Sequence, residues 1–135
     1  MFIDIKPKIY GTEIRKILAE CVFDSSSSGL DKLTLDYERH MGWQLYGWSE
    51  NDRIIAVCGF EAHDDWVEIL HIAVRADARH RGIGGKIVAA LKDMYGMNIE
   101  AETDDDAVDF YRKCGFEATP IKKYDMQRWA CVLFI

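Results

Sequence analysis

The stretch from Glu68 to Leu91, EILHIAVRADARHRGIGGKIVAAL, constrains the fold of this chain more than any other feature. It begins with a nearly continuous apolar run over 69–74 that is rich in β-branched residues, as is typical of an interior strand covered on both faces. From Gly82 onward, apolar residues recur at helical spacing, at Ile83, Ile87, Leu91 and Met94. The stretch therefore predicts a buried strand, a turn and an amphipathic helix.

The turn between this strand and helix, residues 79–84, has the pattern R-x-x-G-x-G. The start of a helix leaves backbone N–H groups unpaired and carries a partial positive charge, and glycines let an anion approach the backbone closely. Further positive charge comes from the side chains of Arg75, Arg79, His80, Arg81 and Lys86. We expect a pyrophosphate to bind here. The alternative is a tight strand-to-helix turn with solvated arginines.

A second motif lies downstream, DAVDFYRKCGF over 106–116. Together the two motifs resemble those of the GNAT superfamily of N-acetyltransferases. In that family R/Q-x-x-G-x-G/A opens the central helix, and A-x-x-F-Y-x-x-x-G-F follows at a similar separation. The resemblance covers roughly the C-terminal half of the chain, whereas the first half fits the family only in its pattern of elements.

The order of predicted elements gives an α/β fold with a mixed, mostly antiparallel sheet of about seven strands and helices on both faces, and the resemblance implies the same architecture. Before the central strand we expect a helix capped by Thr12, a flexible break at 25–29 and a hairpin over 44–60. A strand over 98–103 is expected to run parallel to the central strand, because a helical crossover joins the two. A hairpin over 116–133 closes the sheet.

The resemblance also implies a co-substrate, acetyl-CoA, and no metal. The central strand and its parallel neighbour would splay apart to admit the pantetheine arm. By this resemblance, main-chain groups of Ile72, Ala73 and Val74 contact the pantetheine and the acetyl oxygen. The residues implied at the pyrophosphate are Arg79, His80, Arg81, Gly82, Ile83 and Gly84, with Lys86 adding charge beside them.

Acetyl transfer to an amine requires two proton transfers. A primary alkylammonium with a pKa near 10 is about a thousandfold too protonated at pH 7, which costs roughly 4 kcal/mol, and the leaving thiolate must be stabilised. In the family, the tyrosine of the F-Y step is the general acid, and it corresponds to Tyr111. Without the resemblance, its spacing with Ala107 and Cys114 is equally explained by a packing role.

Glu68 is the candidate base. By strand alternation it shares a face with Ile72 and Val74, so that desolvation would raise the pKa of its carboxyl toward a useful value. Some histone-acetylating members carry a catalytic glutamate in a similar E-I-x-x-x-A context, whereas other members deprotonate the amine through water chains. The same alternation puts His71 on the opposite face, where we interpret it as a core histidine.

Composition limits the partners. Lys plus Arg number 17 against 23 Asp plus Glu, a net charge of −6, which argues against a nucleic-acid binder. No segment has the pattern of a secretory signal or the length of a membrane span, and the four cysteines are widely spaced, so we expect one domain over 1–135 in the reducing cytoplasm. The apolar end, WACVLFI, predicts burial or contact with a second subunit in a homodimer.

The acceptor is the least defined part of the prediction. Acidic residues near the central strand, namely Glu61, Asp64, Asp65 and Glu68, favour a cationic amine on a small molecule or peptide, although a solvated turn is a simpler explanation. Trp43, Tyr46 and Trp48 are candidates for an aromatic wall, or for ordinary hairpin packing. The alternative to an enzyme is a non-enzymatic acyl-CoA-binding or sensing module.

Overall fold

The computed structural model describes residues 1–22 and 24–135. Its central element is a seven-stranded sheet, with strands from the beginning to the end of the described residues. The strands are β1 (Phe2–Asp4), β2 (Trp43–Glu50), β3 (Arg53–Ala62), β4 (Trp66–Val74), β5 (Asn98–Thr103), β6 (Glu117–Lys123) and β7 (Met126–Leu133). They lie in the order β1-β2-β3-β4-β5-β7-β6, and only β4 and β5 are parallel neighbours. The predicted mixed, mostly antiparallel sheet is confirmed.

Helices cover both faces of this sheet. They are α1 (Thr12–Leu18), α2 (Ser27–Arg39), α3 (Ile83–Tyr95) and α4 (Val108–Lys113). One apolar core joins α3 and α4 to the sheet, with Phe60, Ile87 and Leu91 fully buried within it. A second core lies on the other face beneath α1 and α2, around Tyr37 and Leu45. The sheet is therefore the middle layer of three, as its two-sided apolar strands predict.

The parallel strands β4 and β5 separate beyond a short paired segment. Their register runs only from Trp66 beside Asn98 to Ile69 beside Ala101. Beyond Ile69, residues 71–74 of β4 pair with β3 alone. This opening lies where the resemblance implies the pantetheine arm.

A β-bulge interrupts β4 immediately before the opening. Ile69 pairs with Phe60 and His71 pairs with Gly59, so Leu70 is an extra residue without a partner on β3. Because side chains alternate along a strand, one extra residue exchanges the faces of all the residues that follow it.

Several local predictions need correction. The flexible break predicted at 25–29 contains the start of α2, because the Ser26 hydroxyl caps the helix by accepting from the Gly29 N–H at 3.2 Å. Helix α1 has Gly11 rather than Thr12 at its N-cap. Phe134 and Ile135 are exposed after β7 ends, so the prediction that the apolar end is buried within the chain is wrong for these two residues.

No helix of the described residues is long and apolar enough to cross a membrane.

Candidate active site

The turn that precedes α3 is shaped to receive an anion. Gly82 is the N-cap in the left-handed conformation, with φ 75°, and His80 is also left-handed with φ 62°. The first helical bond of the turn runs from the Lys86 N–H to the Gly82 carbonyl, so the preceding amides point out of the helix end without helical partners. A Cβ placed on Gly82 would meet nothing within 4 Å, so the space on the Cβ side of this glycine is open.

The other motif residues at the helix start are packed against the protein. Ile83 is buried in the core, and Gly84 is buried beneath α4. A Cβ on Gly84 would lie 2.3 Å from Cε1 of Phe110, so this glycine is required by the packing of α3 against α4. Lys86 extends over Trp48, with Nζ 6.0 Å from the ring centroid.

The arginines of the turn already have acidic partners, which the sequence did not predict. Arg79 donates from Nε to the Val74 carbonyl at 3.1 Å and from Nη2 to Oε2 of Glu20 at 3.3 Å. Arg81 donates from Nη2 to Oε2 of Glu50 at 2.7 Å, and this pair lowers the pKa of the Glu50 carboxyl. An anion at this turn therefore competes with two carboxylates for the guanidinium groups.

The end of β4 presents backbone groups to the opening beside β5. Ile72 and Val74 pack toward the α3 core, whereas Ala73 belongs to the core beneath α1 and α2. The three residues have no partner on β5, although they pair with β3 on their other side. Backbone groups on the β5 side of this segment are thus free of strand pairing, although the Val74 carbonyl already accepts from Nε of Arg79.

Tyr111 enters the same region from α4. Its ring is 5% exposed and packs edge-on against Phe110 and Phe116, with centroids 5.1 and 5.2 Å away. Burial, reinforced by nearby thiols, raises the pKa of Tyr111 above its ordinary value of 10.0, so the phenol stays protonated at neutral pH. Its hydroxyl makes no hydrogen bond to any described residue. Among the described residues, every fully buried side-chain oxygen has a hydrogen-bond partner. The Tyr111 hydroxyl is therefore not fully buried and borders accessible space.

Glu68 lies on the other side of the sheet from Tyr111. Its neighbours Val67 and Ile69 both point into the core that contains Tyr111, which leaves Glu68 on the α1–α2 face. The expectation that it shares a face with Ile72 and Val74 is wrong, because the bulge at Leu70 reverses the alternation.

His71 is also on the α1–α2 face, where its Nδ1 is 2.7 Å from the Tyr37 hydroxyl. It is a core histidine, as predicted, but on the face that Glu68 occupies. Burial lowers the pKa of its imidazole below the ordinary value of 6.5. The acid and base candidates, Tyr111 and Glu68, therefore lie on opposite faces of the sheet.

Comparison with known proteins identifies the family. The model of the acetyltransferase (GNAT) domain matches residues 42–118, more than half of the chain. An uncharacterized N-acetyltransferase in the lysA 3' region of Bacillus methanolicus is 35% identical over 86 residues, which are 63% of this chain and 71% of that protein. The chain belongs to the GNAT acetyltransferase family. It is an acetyl-CoA-dependent N-acetyltransferase.

Solved GNAT structures share its fold. A GNAT family acetyltransferase from Elizabethkingia anophelis with acetyl-CoA bound superposes with a TM-score of 0.64 at 19% identity, covering 89% of each chain. An acetyltransferase assigned to the GNAT family from Desulfovibrio desulfuricans gives a TM-score of 0.75 at 17% identity, covering 99% of this chain and 98% of that chain. These likenesses show that the chain has the fold of the GNAT acetyltransferases.

An acidic row crosses the sheet of this GNAT enzyme on the α1–α2 face. Glu61 on β3 pairs in register with Glu68 on β4, which in turn lies beside Glu100 on β5. His63 reaches two of these carboxylates, with Nε2 3.2 Å from Oε1 of Glu68 and 3.8 Å from Oε1 of Glu61. No pattern in the sequence marks His63 and Glu100, because only strand register brings them to Glu68.

The predicted aromatic wall is not formed as one surface in this GNAT enzyme. Trp43 lies on the α1–α2 face, where its ring centroid is 4.3 Å from that of His40 and 5.3 Å from that of Tyr37. Tyr46 and Trp48 lie on the α3 face, where both contact Phe2. Alternation along β2 separates them, so only Trp43 is on the side of the acidic row.

Proposed function

We propose that this enzyme transfers the acetyl group of acetyl-CoA to a cationic primary amine carried by a small molecule or a peptide. In the proposed reaction, Glu68 accepts a proton from the substrate ammonium, and the freed nitrogen attacks the thioester carbonyl carbon. The C–S bond then breaks as the amide forms, and the Tyr111 hydroxyl protonates the departing thiolate. The second N–H proton, which the acetylated nitrogen loses as it becomes an amide, returns through solvent to the Tyr111 phenolate. The observation that carries the acceptor class is the acidic row Glu61–Glu68–Glu100 beside the β4–β5 opening.

Support comes from the unbalanced charge of this row. Within the described parts of the chain, no Lys or Arg pairs with any of its three carboxylates, and only His63 contacts two of them. Neighbouring strands lie about 4.8 Å apart, and like charges directly opposite one another destabilise a sheet. A substrate carrying one or two ammonium groups would relieve this repulsion. Each such pair is worth about 1 kcal/mol at a solvated surface, enough to bias the choice among amines.

We further propose that residues 79–84 and Lys86 hold the pyrophosphate, and that backbone groups of 72–74 hold the pantetheine. Membership of an acetyltransferase family favours an enzymatic function over a non-enzymatic acyl-CoA sensor.

Residues 1–135 would act as one domain, and the four free thiols suit a reducing cytoplasm. The exposed Phe134 and Ile135 are consistent with a homodimer, which sedimentation equilibrium would test.

The test is thiol release from acetyl-CoA with a panel of acceptors: polyamines, aminoglycosides, lysine peptides, neutral amino acids and aminoacyl-tRNA. We expect the highest kcat/KM on an acceptor with two or more ammonium groups, and a decrease with rising ionic strength. Highest kcat/KM on an anionic or tRNA-borne amine would refute the acceptor class.

Two charge-neutralising variants make the test specific to the row. Glu100→Gln should raise KM for the best cationic acceptor about threefold to fivefold, while leaving KM for acetyl-CoA unchanged. Asp93→Asn is the matched control, because Asp93 is exposed on α3, which covers the opposite face of the sheet from the row. Equal effects of the two variants would mean that only the net charge of the protein matters.

A further inference from the structure

His63 is held against Glu68 by a geometry that does not depend on the acceptor. It lies in the turn between β3 and β4, and its backbone N–H donates to the Trp66 carbonyl at 2.8 Å. Its ring stacks on Trp66, with centroids 4.1 Å apart and planes inclined by 19°. These two contacts direct Nε2 toward Oε1 of Glu68, 3.2 Å away. The other side of the ring is open, since 32% of the side chain is exposed.

We propose that His63 is a proton-relay residue, which carries to solvent the proton that Glu68 removes from the substrate ammonium. The proposal rests on the proposed function, because it requires Glu68 to be the base. His63 does not touch the substrate and acts through Glu68, so it is a positioning residue with a proton-transfer task. A carboxyl group that has taken one proton must lose it before the next turnover, and His63 is the one side chain among the described residues that hydrogen-bonds to Glu68.

The proton path is balanced at each step. An N–H bond of the ammonium breaks as an O–H bond forms on Glu68. That O–H bond breaks as Nε2 of a neutral His63, which carries its proton on Nδ1, accepts the proton and becomes an imidazolium. The exposed ring then releases the Nδ1 proton to water or buffer. Exchange with water moves the remaining proton back to Nδ1, and the carboxylate is again free to act.

The charged groups nearest to the ring of His63 are carboxylates. Glu61 approaches Nε2 from β3 at 3.8 Å, in addition to Glu68 from β4. Asp64 and Asp65 follow His63 in the same exposed turn, and Glu100 extends the acidic row by one strand. Both charged side chains that approach the ring are therefore carboxylates, which attract the positive charge that the ring carries during the relay.

The test compares two substitutions of His63 in the full chain, using the best amine acceptor. His63→Ala removes the relay and leaves a space against Trp66 that imidazole fits. His63→Gln keeps an amide N–H able to donate to Glu68 but cannot carry a proton. We expect kcat to fall roughly tenfold to a hundredfold in both variants, with KM for acetyl-CoA unchanged, and added imidazole to restore His63→Ala about tenfold.

His40→Ala is the matched control. His40 is likewise stacked on a tryptophan, with its centroid 4.3 Å from that of Trp43, but its Nδ1 is paired with the Asp36 carbonyl. We expect its kcat to stay within about twofold of the wild type, with no response to imidazole. Full activity of His63→Gln would mean that His63 only orients Glu68, and loss without imidazole rescue would mean a structural role. Either result overturns the relay while the wild type still acetylates amines. A wild type that acetylates no amine would instead refute the proposed function and the relay with it.

Discussion

Gly59 is the position where the structure leaves least room for a side chain. It lies on β3 opposite His71, at the edge of the bulge, and a Cβ there would be 1.6 Å from the Tyr37 hydroxyl oxygen and 2.8 Å from Cζ. Tyr37 is fully buried, so its ring has little freedom to move away. Its hydroxyl also bonds Nδ1 of His71 at 2.7 Å. Gly59→Ala must therefore displace Tyr37 and break this bond.

The expected loss of stability follows from three contributions. Overpacking of a core costs about 1–3 kcal/mol, and leaving a buried hydrogen-bonding group unpaired costs about 1–3 kcal/mol more. Replacing glycine by alanine also reduces the conformational freedom of the unfolded chain, which stabilises the folded state by about 0.4–1 kcal/mol. This gain applies here because Gly59 has no positive φ that alanine would strain. We expect a net loss of about 2–4 kcal/mol in the free energy of unfolding, from a total of order 5–15 kcal/mol.

Urea unfolding followed by tryptophan fluorescence measures this loss, with Trp43 packed against Tyr37 as a local probe. A double-mutant cycle identifies the cause. Tyr37→Phe removes the oxygen nearest to the added methyl group, so Gly59→Ala should cost at least about 1 kcal/mol less in that background.

The control is Gly85→Ala in α3, where a Cβ would meet nothing within 4 Å. This variant should gain up to about 1 kcal/mol, because alanine is the better helix former. Additive costs of Gly59→Ala and Tyr37→Phe, or a Gly59→Ala protein as stable as the wild type, would refute the steric reasoning.

Three further predictions concern the chemistry, the phosphate turn and alkaline stability. Tyr111→Phe should lower kcat by about tenfold to a thousandfold with little change in acetyl-CoA affinity, and unchanged turnover where chemistry limits the rate would leave Tyr111 a packing residue. Glu50→Gln should tighten acetyl-CoA binding up to about fivefold in calorimetry, because it frees Arg81 from a surface ion pair; unchanged affinity would mean that Arg81 does not meet the phosphates. Burial raises the pKa of Cys58 above 9.0 and the pKa of Tyr37 above 10.0. Because both groups lose their protons more readily in the unfolded chain, their contribution to stability should be complete below pH 9 and decline as the pH rises further. Urea midpoints measured at pH 8 and at pH 10.5 would show this decline.

The fold was predictable because its signals are local. Strand β5 was expected over 98–103 and is found at Asn98–Thr103. Its parallel pairing with β4 followed from the helical crossover between them. Hydrophobic periodicity, turn residues and crossover length are properties of contiguous sequence. They can therefore be recognised without knowing which distant residues each segment contacts.

The parts of the site that escaped prediction depend on distant partners. The bulge at Leu70 exists only in the register of β4 against β3, and no residue type marks it in the sequence. The ion pairs of Arg79 with Glu20 and of Arg81 with Glu50 join residues 59 and 31 positions apart. Strand alternation gives the correct face only up to such an irregularity, which is why Glu68 was assigned to the wrong side.

Gly84 lies where the turn before α3 contacts α4, and its position leads to a final prediction. Its Cβ direction faces Phe110 at 2.3 Å rather than the open space in front of Gly82. The Phe110 ring in turn contacts Tyr111 edge-on at 5.1 Å. A methyl group on Gly84 therefore pushes on α4 and displaces Tyr111, without entering the proposed phosphate site.

We expect Gly84→Ala to lower kcat about tenfold while acetyl-CoA affinity changes by less than about twofold, since displacement by 1 Å near the reacting atoms costs up to a hundredfold. Phe110→Leu in the same chain should restore part of the lost kcat, because the smaller side chain vacates the space that the methyl group needs. Gly85→Ala, one residue along α3 with open space around it, should leave both quantities unchanged. If Gly84→Ala instead weakens acetyl-CoA binding at unchanged kcat, this glycine serves the phosphates directly, and its contact with Phe110 is incidental.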